Sequence, residues 1–252
     1  MVLALAGASA AQGRTMTVTT KTFVLVHGAW HGGWCWRRVA DRLTAKGCKV
    51  FAPTLTGLGE RAHLLDERTS LATHIADIVN TIKWEGLADI VLVGHSYGGF
   101  VISGVAEQLW PSIASLVFLD AFVPENGQSM ADLTSQRIRD LIAAAAQTGS
   151  LTVEPFPAAL FRVNEKDRAW VDALCTPQPR AAMTEKATVT GARDRVSRKT
   201  YIRARDYPSA AFDGHKAALA QNPGWRVYEL PCGHDAMIDM PAEVADLLLA
   251  SA

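Results

Sequence analysis

A chain of 252 residues with 25 basic and 25 acidic side chains, formal net charge +0 at pH 7, offers no electrostatic hold on nucleic acid or an anionic membrane, and no dense basic block supplies one locally. The length suits one large α/β domain with a sizeable core and is too short for two full domains. Cys35, Cys48, Cys175 and Cys232 are scattered without the CxxC spacing of a zinc or redox site, and read as free thiols packed as small apolar side chains.

At the N-terminus, Val2 to Ala11 is small and apolar, and Ala8-Ser9-Ala10 has the form of a signal-peptidase site, yet no positively charged segment precedes it. Two expectations stand. Either residues 1–15 are the remnant of an export signal and the protein is exported, or they are an extension, translation starts at Met16 and the protein is cytoplasmic. The segment is too short to span a bilayer.

Beyond Lys21, buried strand runs alternate with helical patterns, which predicts a mainly parallel sheet covered by helices on both faces. Strands are expected at Phe23 to His27, Lys49 to Pro53, Asp89 to Val93, Leu116 to Asp120, Thr200 to Arg205 and Arg226 to Leu230. Helices fit at Trp34 to Ala45, Leu71 to Trp84, Gly99 to Leu109, Ala210 to Gln221 and Pro241 to Ala250, the last with proline in its first turn. Between Val123 and Val196 the rhythm lapses for longer than a simple crossover needs. Helical pieces around Met130 to Gln147 and Lys166 to Leu174, then the proline-punctuated Thr176-Pro177-Gln178-Pro179, predict a largely helical cap over about residues 124–197 of a single domain spanning 16–252. That cap should roof the carboxyl edge of the sheet, where ligands bind in open α/β folds.

One motif on that edge carries chemistry. Gly94-His95-Ser96-Tyr97-Gly98 lies between an apolar strand and a helix, the arrangement in which a sharp turn projects a serine hydroxyl from the sheet. Ser96 is the candidate nucleophile and needs a base and an oxyanion site. His234, in Pro231-Cys232-Gly233-His234-Asp235 after the last strand, is the candidate base. His27 and His95 flank turns and are assigned structural hydrogen bonds, His31 fits the role of base poorly, His74 lies in a helix, and His63 and His215 are read as exposed. The orienting carboxylate is assigned to Asp206, which ends the strand before the one delivering His234. Asp120, ending the strand after the nucleophile's helix, is the alternative, with Asp213 and Asp235 weaker ones. The backbone amides of Tyr97 and Ala29 are the expected oxyanion donors. Neither GxGxxG nor a P-loop Gly-Lys-Ser/Thr occurs in the glycine-rich His27 to Trp34 segment, so nucleotide binding is not expected there.

These segments carry a resemblance. Phe23 to Trp36, Val91 to Gly99, Leu116 to Pro124 and Gly233 to Met237 resemble the α/β-hydrolase fold superfamily, and within it the group of plant methyl esterases, hydroxynitrile lyases and their bacterial esterase relatives. The resemblance implies an acid about 28 residues before the histidine, and 234 − 206 = 28 favours Asp206. The lyases of the group rely on a lysine after the histidine and a threonine in the first-strand loop. This chain has Asp235 and Gly28 there, which argues against cyanohydrin cleavage.

The expected function is therefore serine-dependent hydrolysis, through an acyl-enzyme, of small to medium hydrophobic carboxylic esters, with a small-molecule ester as the partner and no metal or organic cofactor called for. A slow or non-catalytic small-ligand receptor on the same fold is the competing expectation. Phe156, Phe161 and Trp170 in the cap, with Trp30, Phe122 and Met237 at the sheet edge, are candidates for an apolar pocket.

Overall fold

In the computed structural model, which describes residues 20–252, eighteen elements follow one another. In chain order they are β1 (Thr22–Val26), α1 (Arg37–Ala45), β2 (Lys49–Phe51), α2 (Leu71–Trp84), β3 (Ile90–His95), α3 (Gly98–Leu109), β4 (Ile113–Leu119), α4 (Met130–Leu133), α5 (Gln136–Gln147), β5 (Thr152–Val153), α6 (Glu165–Leu174), β6 (Gln178–Pro179), α7 (Arg180–Thr184), β7 (Arg198–Ala204), α8 (Ala210–Ala220), β8 (Arg226–Leu230), α9 (Ala236–Asp239) and α10 (Pro241–Ala250). Short 3-10 turns link several of them. The questions raised above about residues 1–15 lie outside the described residues.

Six parallel strands form the sheet, in the order β2-β1-β3-β4-β7-β8. β3 is buried along its whole length and β4 nearly so, as strands covered on both faces require. α1 packs against α10 and α2 against α3, while α8 lies on β7 and β8. Each fully buried Val, Leu or Phe in these strands contributes about 1.5–3 kcal/mol, so the strand ends at the carboxyl edge stand on a rigid base.

The expected strands and helices all occur, most with ends shifted by one to three residues. α2, β8 and α10 span the expected residues, and Pro241 opens α10. The segment between β4 and β7 departs more. The helical piece expected around Met130 to Gln147 is two helices, because Ser129 caps a first start and the chain turns extended at Thr134 and Ser135 before the second. Ser129 accepts from and exchanges bonds with Asp132 in a capping box, and Ser135 holds extended backbone between the two. The proline-punctuated stretch supplies β6, which pairs antiparallel with β5 (Val153 with Gln178).

Candidate active site

Ser96 sits at the turn from β3 into α3 with φ 51°, a left-handed conformation that a non-glycine residue adopts only when its surroundings impose it. The surroundings do so. Its carbonyl accepts the amides of Gly99 and Phe122, both at 3.1 Å, and its own amide donates to Leu119 at 3.3 Å. A Cβ on Gly94 would meet the carbonyl oxygen of Gly98 at 2.7 Å, and one on Gly98 would meet that of Val26 at 2.8 Å. Both glycines are therefore required by close backbone approach, as the motif predicted.

His234 follows β8 and is held from two sides. Its amide donates to the carbonyl of Phe161 at 2.8 Å, and its own carbonyl accepts from Nε2 of His95 at 3.0 Å. The ring packs against Tyr207 (centroids 4.6 Å apart) and Phe212 (5.4 Å, 12° between planes), which also touch each other at 6.3 Å, with Phe161 at 5.8 Å. Nδ1 donates to Oδ2 of Asp120 at 2.6 Å. Ser96 and His234 open onto the same cavity, and Ser96 Oγ has no hydrogen-bond partner among the described residues.

The carboxylate is the correction to the sequence reading. Asp206 does not touch His234: its side chain is 51 % exposed and lies 3.5 Å from Nε of Arg205, while only its backbone is used, by Cys232 and Arg162. Asp120 is fully buried instead. Both residues follow adjacent strands, but β7 ends at Ala204, so Asp206 is carried past the sheet into the following turn. Asp120 comes directly after β4 with φ 42°, its amide still donating to Ile202 of β7 at 2.7 Å. Its Oδ1 accepts from the amide of Ala204 at 3.1 Å and from Nη1 of Arg203 at 2.8 Å. Oδ2 is left for the imidazole.

Arg203 was missed, and its signal was available. A charged residue in the middle of the strand-like run Thr200 to Arg205 points at a buried partner, because burying an unpaired charge is prohibitive. Asp213, a weaker candidate for the acid, binds Arg203 Nε at 3.0 Å rather than the histidine.

Ala29 and Tyr97, the expected oxyanion donors, are buried beside Ser96, and neither amide has a protein acceptor among the described residues. A Cβ on Gly28 would lie 2.9 Å from both Cβ of Ser96 and Nδ1 of His95, so the β1 loop presses directly on Ser96. The Gly28–Ala29 peptide is held by His27, whose Nδ1 donates to the Gly28 carbonyl at 2.8 Å while Nε2 accepts the amide of Leu55 at 3.0 Å. In a trans peptide the N–H points opposite to the C=O, so fixing one aims the other. Burial lowers the pKa of His27 to about 3, which keeps this tautomer neutral. Likewise His74 donates from Nε2 to the Thr56 carbonyl and accepts from the Tyr97 hydroxyl at Nδ1, with its pKa lowered to about 4 by burial. His27 and His95 thus make structural hydrogen bonds as the sequence suggested, and His74, expected to lie in a helix, does so in α2. His215, expected to be exposed, is half-buried and accepts the Val123 amide at 3.3 Å.

A second buried network lies behind His234. Asp235 is fully buried and 3.1 Å from Nε2 of His31, whose Nδ1 donates to the Ala29 carbonyl at 2.8 Å. Burial alone would raise the Asp235 pKa, but the adjacent His31 charge outweighs it and holds it at about 2. For His31, burial works downward and Asp235 reverses it, leaving the pKa raised. The two form an ion pair. His95, Asp235 and His234 bring ligand-type atoms within 4.8 Å of one another. His95 Nε2, Asp235 Oδ2 and His234 Nδ1 each have a protein partner, while His95 Nδ1 and Asp235 Oδ1 are buried without one among the described residues.

The cavity above Ser96 and His234 measures about 200 Å³. Trp30, Phe122, Phe161 and Phe212 form its aromatic wall, and Met130, Leu133 and Ile138 close it from the segment between β4 and β7. Phe156, Trp170 and Met237 do not line it. Trp30 is fixed there by its amide donating to Gln178 and its indole donating to the Val153 carbonyl, both at 2.9 Å.

A sheet of this order, a serine at a strained strand-helix turn and a histidine after the last strand agree with what the chain matches: residues 23–247 fit the alpha/beta hydrolase family. The chain belongs to that family. The hydrolase is 44% identical over 237 residues to a carbendazim hydrolyzing esterase of Nocardioides sp. (strain SG-4G), aligning 90% of this chain with 98% of that one. It is 30% identical over 227 residues to a putative chloroplastic methylesterase 13 of Arabidopsis thaliana, covering 84% of this chain and 51% of the plant protein, so it spans about half the length of that relative. Among solved structures it is similar to an extracellular alpha/beta-hydrolase from a Paenibacillus species, described as sharing structural and functional homology with tobacco salicylic acid binding protein 2. That similarity has a TM-score of 0.81 and 25% identity, over 92% of this chain and 99% of that one.

Proposed function

We propose that Ser96, His234 and Asp120 form the catalytic triad of this carboxylic ester hydrolase, and that it cleaves small hydrophobic esters through an acyl-enzyme. The observation that carries this reading is the 2.6 Å bond from His234 Nδ1 to a fully buried Asp120, beside a serine in a strained conformation that opens onto an apolar cavity. His234 Nε2 takes the Ser96 proton as Oγ attacks the carbonyl carbon. The amides of Ala29 and Tyr97 hold the oxyanion, with the N-terminus of α3 adding to the positive potential there. His234 then gives the proton to the departing alcohol, and water repeats the two transfers to free the acid.

The cavity sets the size of substrate. Drug-sized ligands occupy roughly 300–1,000 Å³, whereas an apolar cavity of about 150 Å³ holds benzene. A volume of about 200 Å³ therefore suits one aromatic ring or a short aliphatic chain on either side of the ester. The 44% identical relative makes carbendazim a further substrate to try.

The test is hydrolysis of p-nitrophenyl acetate, butyrate and octanoate, methyl benzoate and carbendazim by the wild type and Ser96→Ala. The short and single-ring esters should turn over and Ser96→Ala should not. Equal rates in the two proteins would sink the nucleophile assignment, and no turnover of any substrate would favour the receptor reading.

A further inference from the structure

Arg203 is 1 % exposed, and its guanidinium is spent entirely inside the protein. Nη1 donates to Asp120 Oδ1 at 2.8 Å and to the Ala204 carbonyl, Nη2 donates to the Tyr207 carbonyl at 2.5 Å, and Nε donates to Asp213 at 3.0 Å. The guanidinium carbon also lies 5.9 Å from the Phe212 ring centroid, and that ring stacks on His234. Sheet pairing explains the placement. Leu119 is in register with Ile202, so Asp120, directly after β4, and Arg203, next to last in β7, lie side by side at the carboxyl edge of the sheet. Holding a strand together does not need an arginine there. An apolar side chain would fill the space without the desolvation cost of a buried charge.

We propose that Arg203 is a positioning residue of the triad, acting through Asp120. This rests on Asp120 being the acid. With the Ala204 amide, Arg203 occupies Oδ1, so the carboxylate cannot rotate and Oδ2 stays on Nδ1 of His234. Its positive charge also offsets that of Asp120, which would otherwise favour imidazolium over the neutral imidazole that has to accept the Ser96 proton. Arg203 thereby couples three parts of the site, because the same guanidinium holds the Tyr207 carbonyl and packs on Phe212, the two residues whose rings pack against His234.

Other ionisable groups surround His234, and none duplicates this. From the end of β3, His95 is kept neutral by burial, which lowers its pKa well below the usual value. From the β1 loop and the histidine's own segment, His31 and Asp235 pair with each other. Tyr207 is a neutral phenol, raised to about 12 chiefly by burial, and Cys232 a neutral thiol, also raised to about 12 by burial. Asp213, on α8, faces the far side of the guanidinium and is 61 % exposed, so solvent screens it. Asp206 points outward beside Arg205.

The experiment compares the wild type with Arg203→Met, Arg203→Gln and Arg203→Lys on p-nitrophenyl acetate from pH 5 to pH 9, and records the downfield proton resonance of His234 Nδ1–H in each. Ser96→Ala and Asp120→Asn serve as references. The neutral variants should lose at least roughly tenfold in kcat/KM at pH 7, with the acid limb of the profile moved up by about one pH unit and the resonance shifted or broadened. Arg203→Lys should restore the acid limb while kcat stays reduced, because one ammonium cannot reach all four acceptors. A purely structural role would lower the rate by one factor at every pH, with Lys no better than Met, and that result overturns the proposal. So does a wild-type limb and resonance in the neutral variants. If those variants do not fold, Arg203→Lys decides alone: reduced kcat with a shifted resonance supports the role, and wild-type kcat and resonance overturn it. Activity surviving in Ser96→Ala or Asp120→Asn would instead refute the triad on which the proposal stands.

Discussion

Replacing Asp120 by asparagine should disable the enzyme by turning the histidine's proton the wrong way. Two N–H donors, from Arg203 at 2.8 Å and the Ala204 amide at 3.1 Å, already face Oδ1. The asparagine oxygen must take that position, which puts its NH2 opposite Nδ1 of His234. The ring then accepts at Nδ1 and carries its proton on Nε2, where it cannot take the Ser96 proton. A wrong tautomer of this kind costs about 10⁴ in kcat, or roughly 5.4 kcal/mol of barrier. Asp206→Asn should change kcat by less than about twofold, since an exposed ion pair is worth roughly 0–1 kcal/mol and the Asp206 side chain is 51 % exposed. The assay is steady-state hydrolysis of p-nitrophenyl acetate, with thermal melts to verify folding. A folded Asp206→Asn that loses activity while Asp120→Asn keeps it would refute the reasoning.

Gly28→Ala should keep the fold but lower kcat on the order of 100-fold, because the new methyl would sit 2.9 Å from Ser96 Cβ and His95 Nδ1 and displace the nucleophile or the oxyanion loop; kcat and a melting curve check it. Asp235→Asn should cost about 3–5 kcal/mol by stranding His31 in a buried site. Asp235, depressed to about 2, contributes stability above about pH 4 that fades as pH falls toward 2, and His31, raised, contributes below about pH 6.5 what is lost as pH rises through its elevated value. The melting difference between wild type and Asp235→Asn should therefore peak between about pH 4 and 6.5 and shrink on either side, and a flat difference would rule the ion pair out. Ile138→Ala, at the cavity wall, should raise the octanoate-to-acetate ratio of kcat/KM by roughly tenfold, read from the same p-nitrophenyl series.

Much of this site was legible from residue order because each part depends on local patterning. The Gly-x-Ser-x-Gly turn needs only small neighbours, and β8 followed by His234 needs only a strand and its end. The carboxylate that meets His234 was not, because two aspartates follow adjacent strands and the choice depends on where β7 stops. The spacing implied by the family resemblance pointed to Asp206, but Arg205 and Asp206 lie beyond the last paired residue of β7, and a side chain carried into a solvent-facing turn cannot reach the ring. The clue in the sequence was Arg203, a charge in a buried strand that has to be satisfied inside the protein and that meets Asp120 there. The cavity was the least legible part. Whether Phe161 or Phe156 faces Ser96 depends on how the pieces between β4 and β7 fold, and the two lie in irregular chain and a four-residue 3-10 turn, Ala158–Phe161, too short to carry a periodicity.

Covalent trapping tests the central claim most directly. Incubated with a fluorophosphonate and mapped by peptide mass spectrometry, the protein should carry one adduct per chain, on Ser96, with labelling abolished in Ser96→Ala and slowed about as much as hydrolysis in Asp120→Asn. An adduct on another residue, or undiminished labelling in Asp120→Asn, would contradict the account.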